Sequence, residues 1–552
     1  MLSSSEPTSP RFTPELLATV LVVLAYIVWI LSLPAWPTQD GPIHLYYTHV
    51  LRALFSHDTS YARFYTIKHL FPPYSFYYYA LLGLSRFVSL LLADRLIVCV
   101  YVVSFVFGFR YLSRALGAGA DSMTLLCTLL LLNWPLGMGF VNFCLSLSFV
   151  FWALGLWLRF AGRTAYNARI GFVLLAILTM FTHPVPLLLL LGIASLDLVM
   201  RFLANRRRSQ QTPRLFRLDL LTLIIAGFTL GYVKLFTISR PLQQTTVGEE
   251  PVSFATRVAH NIANYSVEKG IAFLLGPGFE LRLYRVLLMA VLIVPLAFAL
   301  LHFVRDCKEH RWTAADTALL LGIIFIFVLP FVPPDLNGSH FFAARLLLFV
   351  WIFPLLAASG TRFGARARTG LLVFTIIGQA IVLHAANASL RPVAKSIAAI
   401  DAAQGPIASR PGNTGLALED PRPPDAPPGL SFNPYLWASV NIFRHDNSVL
   451  ANTPWLDLAI IPLGATPRLP AASMKPEGLE FPSILRLELA ADPAERDALF
   501  ASVDFLVIEQ AHRQPVTGLD PVLPVDASTH WRCRTASPSW IRVCDKEVRH
   551  LH

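Results

Sequence analysis

The stretch Leu17-Ala-Thr-Val-Leu-Val-Val-Leu-Ala-Tyr-Ile-Val-Trp-Ile-Leu-Ser-Leu33 decides the class of fold, because it is long, apolar and uncharged. A run of this kind crosses the hydrocarbon core of a bilayer as a helix. No small-residue cleavage site follows it, so we interpret it as a signal anchor. Directly after it, Trp36-Pro-Thr-Gln-Asp-Gly-Pro-Ile-His44 places a carboxylate and an imidazole just outside the first membrane span.

The composition of the chain indicates an integral membrane protein. Of its 552 residues 55% are hydrophobic and 14% are charged, and the mean hydropathy is +0.55. A soluble globular protein has nearer a quarter of charged residues. The net charge of +11 comes largely from arginines clustered between apolar runs, where the positive-inside rule places them. We therefore interpret the positive charge as a determinant of membrane topology. The expected partner is the lipid bilayer and not nucleic acid.

Apolar runs of spanning length predict an α-helical polytopic membrane protein with about 11 to 13 transmembrane helices. These runs are 14–35, 74–92, 95–113, 122–158, 168–182, 184–203, 218–238, 284–304, 315–333, 343–360 and 370–388. Basic clusters predict cytoplasmic loops near 206–217, 305–311 and 362–368. The N-terminal residues 1–13 are then cytoplasmic, the transmembrane module covers 14–390, and its outward loops are 36–73, 239–283 and 333–342.

The double-length run 122–158 conflicts with this count of crossings. Arg159, Arg163 and Arg169 favour a cytoplasmic position, which requires that the run cross only once. We therefore predict that Asn133-Trp-Pro-Leu-Gly-Met-Gly139 is a break in a kinked or re-entrant element, because proline and glycine disrupt helices. Freed backbone groups are tolerated at this depth where they line a cavity. An intramembrane enzyme or a transporter requires such a cavity.

The last part of the chain, 391–552, has a lower hydropathy and is richer in proline and aspartate. Short apolar runs such as Phe505-Leu-Val-Ile508 predict strands, so we expect a soluble extracytoplasmic α/β domain. Cys533 and Cys544 flank a predicted strand, turn and strand. A disulfide between them is expected only if the domain faces an oxidising compartment.

Asp40 is the first candidate catalytic residue. The turn at Gly41-Pro42 directs its carboxylate back toward the membrane surface, where partial burial by Trp36 and Tyr46 suits it to act as a general base. His44 lies one helical turn further on, so it is placed to orient Asp40 or to share a metal ion with it. The alternative is that both side chains are solvated at the interface.

Aromatic and polar residues near the same surface are candidates for a substrate cavity. Tyr74 and Tyr77 belong to Phe71-Pro-Pro-Tyr-Ser-Phe-Tyr-Tyr-Tyr79, which is either an aromatic belt or a wall on which a sugar stacks. Asn142 adjoins the predicted break and either lines a cavity or caps a freed backbone group. His183, between two apolar runs, either lines the same cavity or belongs to a plain hairpin turn.

Two outward arginines are candidates for binding a phosphate. Arg345 stands at the outer entrance of a strongly apolar span, where a guanidinium can grip a lipid-linked phosphate through a bidentate contact. Arg282 precedes another span and could act in the same way. The alternatives are that Arg345 snorkels to the interface and that Arg282 is an ordinary flanking charge.

Five features together resemble the GT-C superfamily. They are an acidic first outward loop, a tyrosine-rich segment, an N-x-F element after a broken helix, a His-Pro between spans and a late outward arginine. Its members are polytopic glycosyltransferases that use polyprenyl-phosphate sugars, including protein mannosyltransferases and the lipid A aminoarabinose transferase. The resemblance covers residues 14–390. It implies that Asp40 is the catalytic base and that Arg345 contacts the carrier phosphate.

The resemblance also implies the reaction: an inverting transfer of a sugar from a polyprenyl-phosphate carrier to an envelope glycan, lipid or protein acceptor. Family members often carry a second acid nearby, whereas Gly41 follows Asp40 here, and Asp58 and Asp121 are poor substitutes. A divalent metal ion therefore stays a possible cofactor, and no other cofactor is expected. The expected location is a bacterial inner membrane, with the site facing the periplasm.

Two other classes of function are compatible with the sequence. A polytopic lipid or sugar transporter would use the same polar residues to gate a path, and charges along the middle of its helices would favour it. Lys234 is nearly alone in such a position, which favours the enzyme. A non-catalytic membrane scaffold of polysaccharide assembly is the third reading.

Overall fold

The computed structural model describes most of the transmembrane module and a set of C-terminal strands. Its described residues are 13–56, 65–67, 70–208, 213–238, 256, 258–259, 282–309, 313–332, 345–408, 414–418, 448–450, 460–462, 505–509, 529–535 and 541–548. The predicted outward loops 239–283 and 333–342 lie almost wholly outside these residues, as does Asp58.

Helices form nearly all of the described chain up to residue 408. They are α1 (Pro14–Ser32), α2 (Gly41–Phe55), α3 (Phe76–Leu84), α4 (Leu90–Leu116), α5 (Ala120–Cys127), α6 (Trp134–Gly137), α7 (Val141–Phe160), α8 (Tyr166–Thr182), α9 (Pro184–Arg208), α10 (Pro213–Ile238), α11 (Arg282–Lys308), α12 (Ala314–Val328), α13 (Phe349–Ala358) and α14 (Ala365–Ala408). Short 3₁₀ turns, Thr128–Leu130 and Leu329–Phe331, follow α5 and α12.

Within the described residues, eight helices are long and apolar enough to cross a membrane. They cover Pro14–Ser32, Leu90–Leu116, Val141–Phe160, Pro184–Leu203, Arg214–Lys234, Met289–Lys308, Ala314–Phe331 and Ala365–Lys395. Three shorter apolar helical stretches, Ala120–Leu130, Tyr166–Thr182 and Phe349–Ala358, coincide with other predicted runs. The helical membrane fold is thus confirmed, with fewer helices of full spanning length than the about 11 to 13 predicted.

The apolar run 74–92 is not one helix. Helix α3 has 9 residues and ends at Leu84, and the chain turns before α4 begins, with Ser89 accepting a hydrogen bond from Leu92 N. A span needs about 20 residues, so the prediction that this run crosses the membrane is wrong. Hydropathy averaged over the run missed the turn, although Ser85, Arg86 and Ser89 within it are polar.

The segment from α5 to α6 runs the full length of α1. At one end Thr13 donates a hydrogen bond to Asp121 (2.9 Å), and at the other Asp40 N donates to Met138 O (2.9 Å). Thr13 and Asp40 flank α1, whose 19 residues rise by about 28 Å. Residues 121–138 therefore travel from one end of the helical bundle to the other.

The run 122–158 consequently passes across the bundle twice. Helix α7 returns to the starting end, where Arg159 donates to Tyr111 O (2.7 Å), one residue from Arg110, which forms an ion pair with Asp121. The predicted break at 133–139 is confirmed, and Arg159 does lie at the same end as the N-terminal end of α1. The prediction of a single crossing is wrong. It placed Arg159 on the expected side only because the run 74–92 had been counted as an extra span.

The final helix returns the chain to the Asp40 end. Arg368 forms a bidentate ion pair with Glu15 at the start of α1, whereas Arg391 donates to Ser32 at the end of α1 (2.8 Å). Helix α14 continues past the predicted domain boundary at 390 without a break and ends at Ala408. The strands that follow are therefore connected to the end of the bundle that carries Asp40.

Those strands form two sheets. In the larger sheet the strand order is β3 (Ser448–Leu450), β2 (Thr414–Leu418), β5 (Phe505–Glu509), β7 (Ile541–Val548) and β6 (Thr529–Thr535). Its first two pairings are parallel and its last two antiparallel. The smaller sheet pairs β1 (Tyr65–Ile67) with β4 (Ile460–Pro462) and so links the loop after α2 to the C-terminal region.

The sheets test two predictions made from the C-terminal sequence. The strand predicted at Phe505–Ile508 is present as β5, and the predicted strand pair around the two late cysteines is present as β6 and β7. The register of that pair sets Cys533 directly opposite Cys544. Opposed Cα atoms in antiparallel strands lie about 4.5–5.5 Å apart, a separation that a disulfide can bridge. The disulfide itself stays a prediction.

Candidate functional site

The backbone of Asp40 rests on the broken segment between α5 and α7. Asp40 N donates to Met138 O (2.9 Å), and Gln39 N donates to Gly137 O (3.2 Å). Asn133 caps the short helix α6 by accepting a hydrogen bond from Leu136 N, so the break has its own ordered geometry. The loop after the first span is thereby fixed to the turn between the two passes of the run 122–158.

Gly139 makes this contact possible. Its φ of +89° lies in the left-handed region, and a Cβ atom there would stand 2.8 Å from Gly41 N and 2.9 Å from Asp40 N. Real Cβ atoms do not approach a backbone this closely, and a residue with a side chain is also strained at this φ. A glycine is therefore required at this point of the break.

Asp40 precedes helix α2 without capping it. Its side chain makes no capping hydrogen bond, and Thr38 Oγ1 accepts from Gly41 N instead (3.1 Å). Pro42 follows in the first turn, where a missing N–H is harmless. The half-buried carboxylate of Asp40 thus does not cap the helix, and its role as a general base stays a prediction.

His44 lies one turn along α2, with its N–H donating to Asp40 O (3.2 Å). Its Nδ1 is 2.7 Å from the hydroxyl of Tyr78. Burial, and then the positive charge of Arg345, lower the pKa of His44 to about 4. The imidazole is therefore neutral at physiological pH, and the influence of Arg345 shows that the two lie in one electrostatic environment.

Tyr77 and Asp94 form a buried pair directly behind His44. The Tyr77 hydroxyl donates to Asp94 Oδ1 (2.5 Å), and the Tyr77 ring meets the His44 ring edge-on at 5.8 Å. Tyr77 is fully buried behind His44, and Tyr78 is the tyrosine whose hydroxyl meets the imidazole. Asp94 was missed by the sequence analysis, although a lone acid in the apolar run 90–116 is a signal of function or partnership.

Arg345 and His183 form the second half of the site. Arg345 Nη1 lies 2.7 Å from His183 Nε2, and the guanidinium carbon stands 4.0 Å above the centre of the Phe140 ring. Both side chains are buried, with exposed fractions of 4% for Arg345 and 2% for His183. These contacts, a hydrogen bond to an imidazole and a cation–π interaction, orient the guanidinium.

His183 is held neutral by its surroundings. Burial, and then the charge of Arg345, lower its pKa well below the usual value. Because a guanidinium can only donate, a neutral Nε2 accepts the hydrogen bond from Arg345. Ser146 Oγ donates to the carbonyl of His183 (3.0 Å) and fixes its backbone. His183 thus positions Arg345, a function that a plain hairpin turn would not require.

Tyr74 packs its ring on His183 at a centroid distance of 4.6 Å. Its φ of +71° is rare for a residue with a side chain and costs about 1–2 kcal/mol. Phe143 also lies near this imidazole, at a ring-centroid distance of 5.4 Å. Tyr74 thus packs beside His183 in a strained conformation, and its role in lining a substrate cavity stays a prediction.

The structure describes the side chain of Asn142 but not that of Arg282. Asn142 is 7% exposed, and its Oδ1 is buried without a hydrogen-bond partner among the described residues. A buried acceptor of this kind costs free energy unless something donates to it, which fits the lining of a substrate site. Arg282 begins α11, but its side chain lies outside the described residues and its predicted role is untested.

Three consecutive residues join the two halves of the site. Met138 accepts from Asp40, Gly139 touches the backbone of Asp40 and Gly41, and Phe140 lies under Arg345. The broken segment thus contacts the backbone of Asp40 through Met138 and Gly139 and the guanidinium of Arg345 through Phe140. A base and a cation so arranged are suited to a reaction in which one group loses a proton and another leaves as an anion.

The described residues do not form a metal site around Asp40 and His44. Asp40 and His44 belong to no cluster of three potential metal ligands in the part of the chain that the structure describes. The cluster found there lies on other helices and is considered below. The expected divalent metal ion therefore stays untested at the candidate site.

Two solved structures of one protein are similar in fold to this chain over nearly its whole length. The crystal structure of ArnT from Cupriavidus metallidurans bound to undecaprenyl phosphate has a TM-score of 0.52 and 12% identity, covering 97% of this chain and 98% of ArnT. The apo structure of the same protein gives a TM-score of 0.52 and 14% identity, covering 96% of this chain and 97% of ArnT. The chain therefore shares the fold of ArnT, a member of the family whose fold the sequence resemblance implied.

The remaining comparisons carry less. Arabinofuranosyltransferase AftD from Mycobacteria matches with a TM-score of 0.44 and 14% identity, over 96% of this chain but 39% of AftD, and we draw nothing from it. No protein-family model and no curated protein matches the sequence. The likeness to ArnT extends to the fold alone.

Replacing Gly139 by alanine should destabilise the protein more than the same change at Gly162. Both glycines have a positive φ, but a Cβ at Gly162 meets nothing within 4 Å, whereas one at Gly139 meets the Asp40 backbone. Backbone strain of about 1–2 kcal/mol is common to both variants. The additional loss of stability in Gly139→Ala therefore measures the clash of its Cβ with the Asp40 backbone. Thermal unfolding of the two variants in detergent measures it, and equal losses would contradict the account.

Acidification should destabilise the protein partly through His44. Its pKa is about 4 when folded and about 6.5 when unfolded, so stability present at neutral pH is lost as pH falls from about 6.5 to 4. In His44→Gln the melting temperature should therefore fall less over that range than in the wild type. His384→Gln removes an exposed histidine as the control. Parallel curves for wild type and His44→Gln would refute the assignment.

Proposed function

We propose that the chain is an inverting glycosyltransferase that moves a sugar from a polyprenyl-phosphate carrier to an envelope glycan, lipid or protein acceptor. One observation carries the proposal: residues 138–140 hold Asp40 on one side and the buried Arg345 on the other. The reaction needs a base for the acceptor and a cation for the leaving phosphate, and this site offers both. That ArnT is seen bound to undecaprenyl phosphate supports the class of carrier.

The proposed reaction is a single displacement. Asp40 accepts the proton of an acceptor hydroxyl, and the oxygen forms a bond to the anomeric carbon of the donor sugar. The bond between that carbon and the carrier phosphate oxygen breaks, and its electron pair leaves with the phosphate. Arg345 stabilises the charge that develops on the phosphate. Because attack and departure occur on opposite faces, the anomeric configuration inverts.

The neighbours of these two residues have supporting roles. His44 is neutral and bonded to Tyr78, so it can orient a hydroxyl near Asp40 without adding positive charge. His183 and Phe140 hold the guanidinium in one orientation, which reduces the reorganisation that the reaction requires. The buried Oδ1 of Asn142 is suited to accept a hydrogen bond from a sugar hydroxyl.

The location and the C-terminal region belong to the same proposal. Placing the basic clusters in the cytoplasm puts Asp40 and the strands on the outer face of a bacterial inner membrane. The pairing of β1 with β4 supports a soluble α/β domain that covers this face, where an acceptor would arrive. Arg282 is proposed as a second contact to the carrier phosphate.

Asp40→Asn should abolish the general base and lower transfer by about 10² to 10⁴-fold. The assay is sugar transfer by detergent-purified protein from a panel of synthetic polyprenyl-phosphate donors. The matched control is Asp58→Asn, which removes the same charge from the same outward loop. Melting temperatures of all three proteins verify that the fold is intact.

Two outcomes would overturn the proposal. Transfer that persists in Asp40→Asn would exclude Asp40 as the base. An absence of transfer by the wild type with every donor would return the transporter and the scaffold to consideration. Flux of a labelled polyprenyl-phosphate sugar across proteoliposomes would then separate those two.

A further inference from the structure

His302, Asp306 and Asp316 form a cluster that the proposed reaction does not use. His302 and Asp306 are one turn apart on α11, and Asp316 lies in the first turn of α12. One potential ligand atom from each residue lies within 4.8 Å of the other two. Imidazole and carboxylate together are ligands that zinc accepts readily.

The distance between two of these atoms is more typical of shared ligands than of a hydrogen bond. His302 Nδ1 is 3.3 Å from Asp306 Oδ2, yet Oδ2 is buried and accepts no hydrogen bond within the described structure. Two ligands at 2.0–2.2 Å from one tetrahedral ion lie about 3.3–3.6 Å apart. The pair is therefore already at the spacing that an ion would impose, and the third potential ligand atom lies within 4.8 Å of both.

The residues around the cluster bury its two carboxylates and orient one of them. Asp306 is 8% exposed and Asp316 is 2% exposed. Thr313 donates to Asp316 Oδ2 through both its N–H and its hydroxyl, at 2.7 Å each, which fixes the carboxylate as an outer-shell partner of a metal ligand does. Arg305 is directed to Glu309 (3.3 Å) and so pairs outside the cluster.

The cluster lies at the end of the bundle opposite to Asp40. A Cβ at Gly360 would stand 3.1 Å from His302 Nε2, and the adjacent Ser359 accepts a hydrogen bond from Gly119 N (2.9 Å). Gly119 is two residues from Asp121, which bonds to Thr13 at the start of α1. About 28 Å of helix α1 therefore separates this cluster from the candidate active site.

We propose that His302, Asp306 and Asp316 bind a divalent cation of the zinc type, which fastens the end of α11 to the start of α12. Three protein ligands leave the fourth tetrahedral position to water. The ion makes no contact with the reacting groups, so its function is to stabilise the fold. The inference does not depend on the proposed transferase activity.

The test is zinc binding by the full-length protein in detergent. After treatment with a chelator, the protein is titrated with Zn²⁺, and bound zinc per chain and the melting temperature are measured. The wild type should bind one more zinc ion than His302→Gln or Asp306→Asn, or bind it at least about tenfold more tightly. Zinc should raise the melting temperature of the wild type but not that of His302→Gln or Asp306→Asn.

Glu309→Gln is the matched control, because it removes an acidic group from the same helix outside the cluster. It should keep the stoichiometry and the stabilisation of the wild type. Equal zinc binding by the wild type, His302→Gln and Asp306→Asn would overturn the proposal. If Asp306→Asn does not fold, the half-buried His302 still gives the decisive comparison.

Discussion

The close approach of Gly139 to the backbone of Asp40 is the contact on which the candidate site depends. A helix that crossed without interruption would present only side chains to the loop after α1, because its N–H and C=O groups bond within the helix. The break exposes the carbonyls of Gly137 and Met138, and the first loop uses both. The same break turns Phe140 toward Arg345, so one irregular segment determines the position of both charged groups.

The electrostatics of the site follow from burial around a single guanidinium. A buried cation is costly unless it is held by well-oriented partners, and here a neutral imidazole and an aromatic face supply the orientation. Burial, and to a smaller extent the charge of Arg345, lowers the pKa of both His44 and His183, so neither imidazole adds positive charge. Asp94 and Tyr77 extend the polar network behind His44 and hold the wall that carries Tyr78. The site thus separates a region suited to a base from one suited to an anion.

Much of this arrangement could be predicted from the sequence, for physical reasons that also explain the errors. Pro135, Gly137 and Gly139 predicted the break because proline interrupts a regular helix and glycine weakens it, and the acidic loop after a span suggested Asp40. Hydropathy averaged over 74–92 did not detect the turn, although Ser85, Arg86 and Ser89 within it are polar, and counting charges concealed the error. Phe140 and Asp94 were missed because an aromatic residue beside a break and an acid within a span acquire meaning only from their neighbours in space.

Equilibrium binding of undecaprenyl phosphate tests the central claim, that Arg345 holds the anion while Asp40 is reserved for proton transfer. Purified wild type, Arg345→Gln and Asp40→Asn are compared in the same detergent, with melting temperatures as a check of the fold. The account predicts that Arg345→Gln weakens binding at least about tenfold, whereas Asp40→Asn leaves it within about twofold of the wild type. Undiminished binding by Arg345→Gln, with the fold intact, would contradict the division of roles at this site.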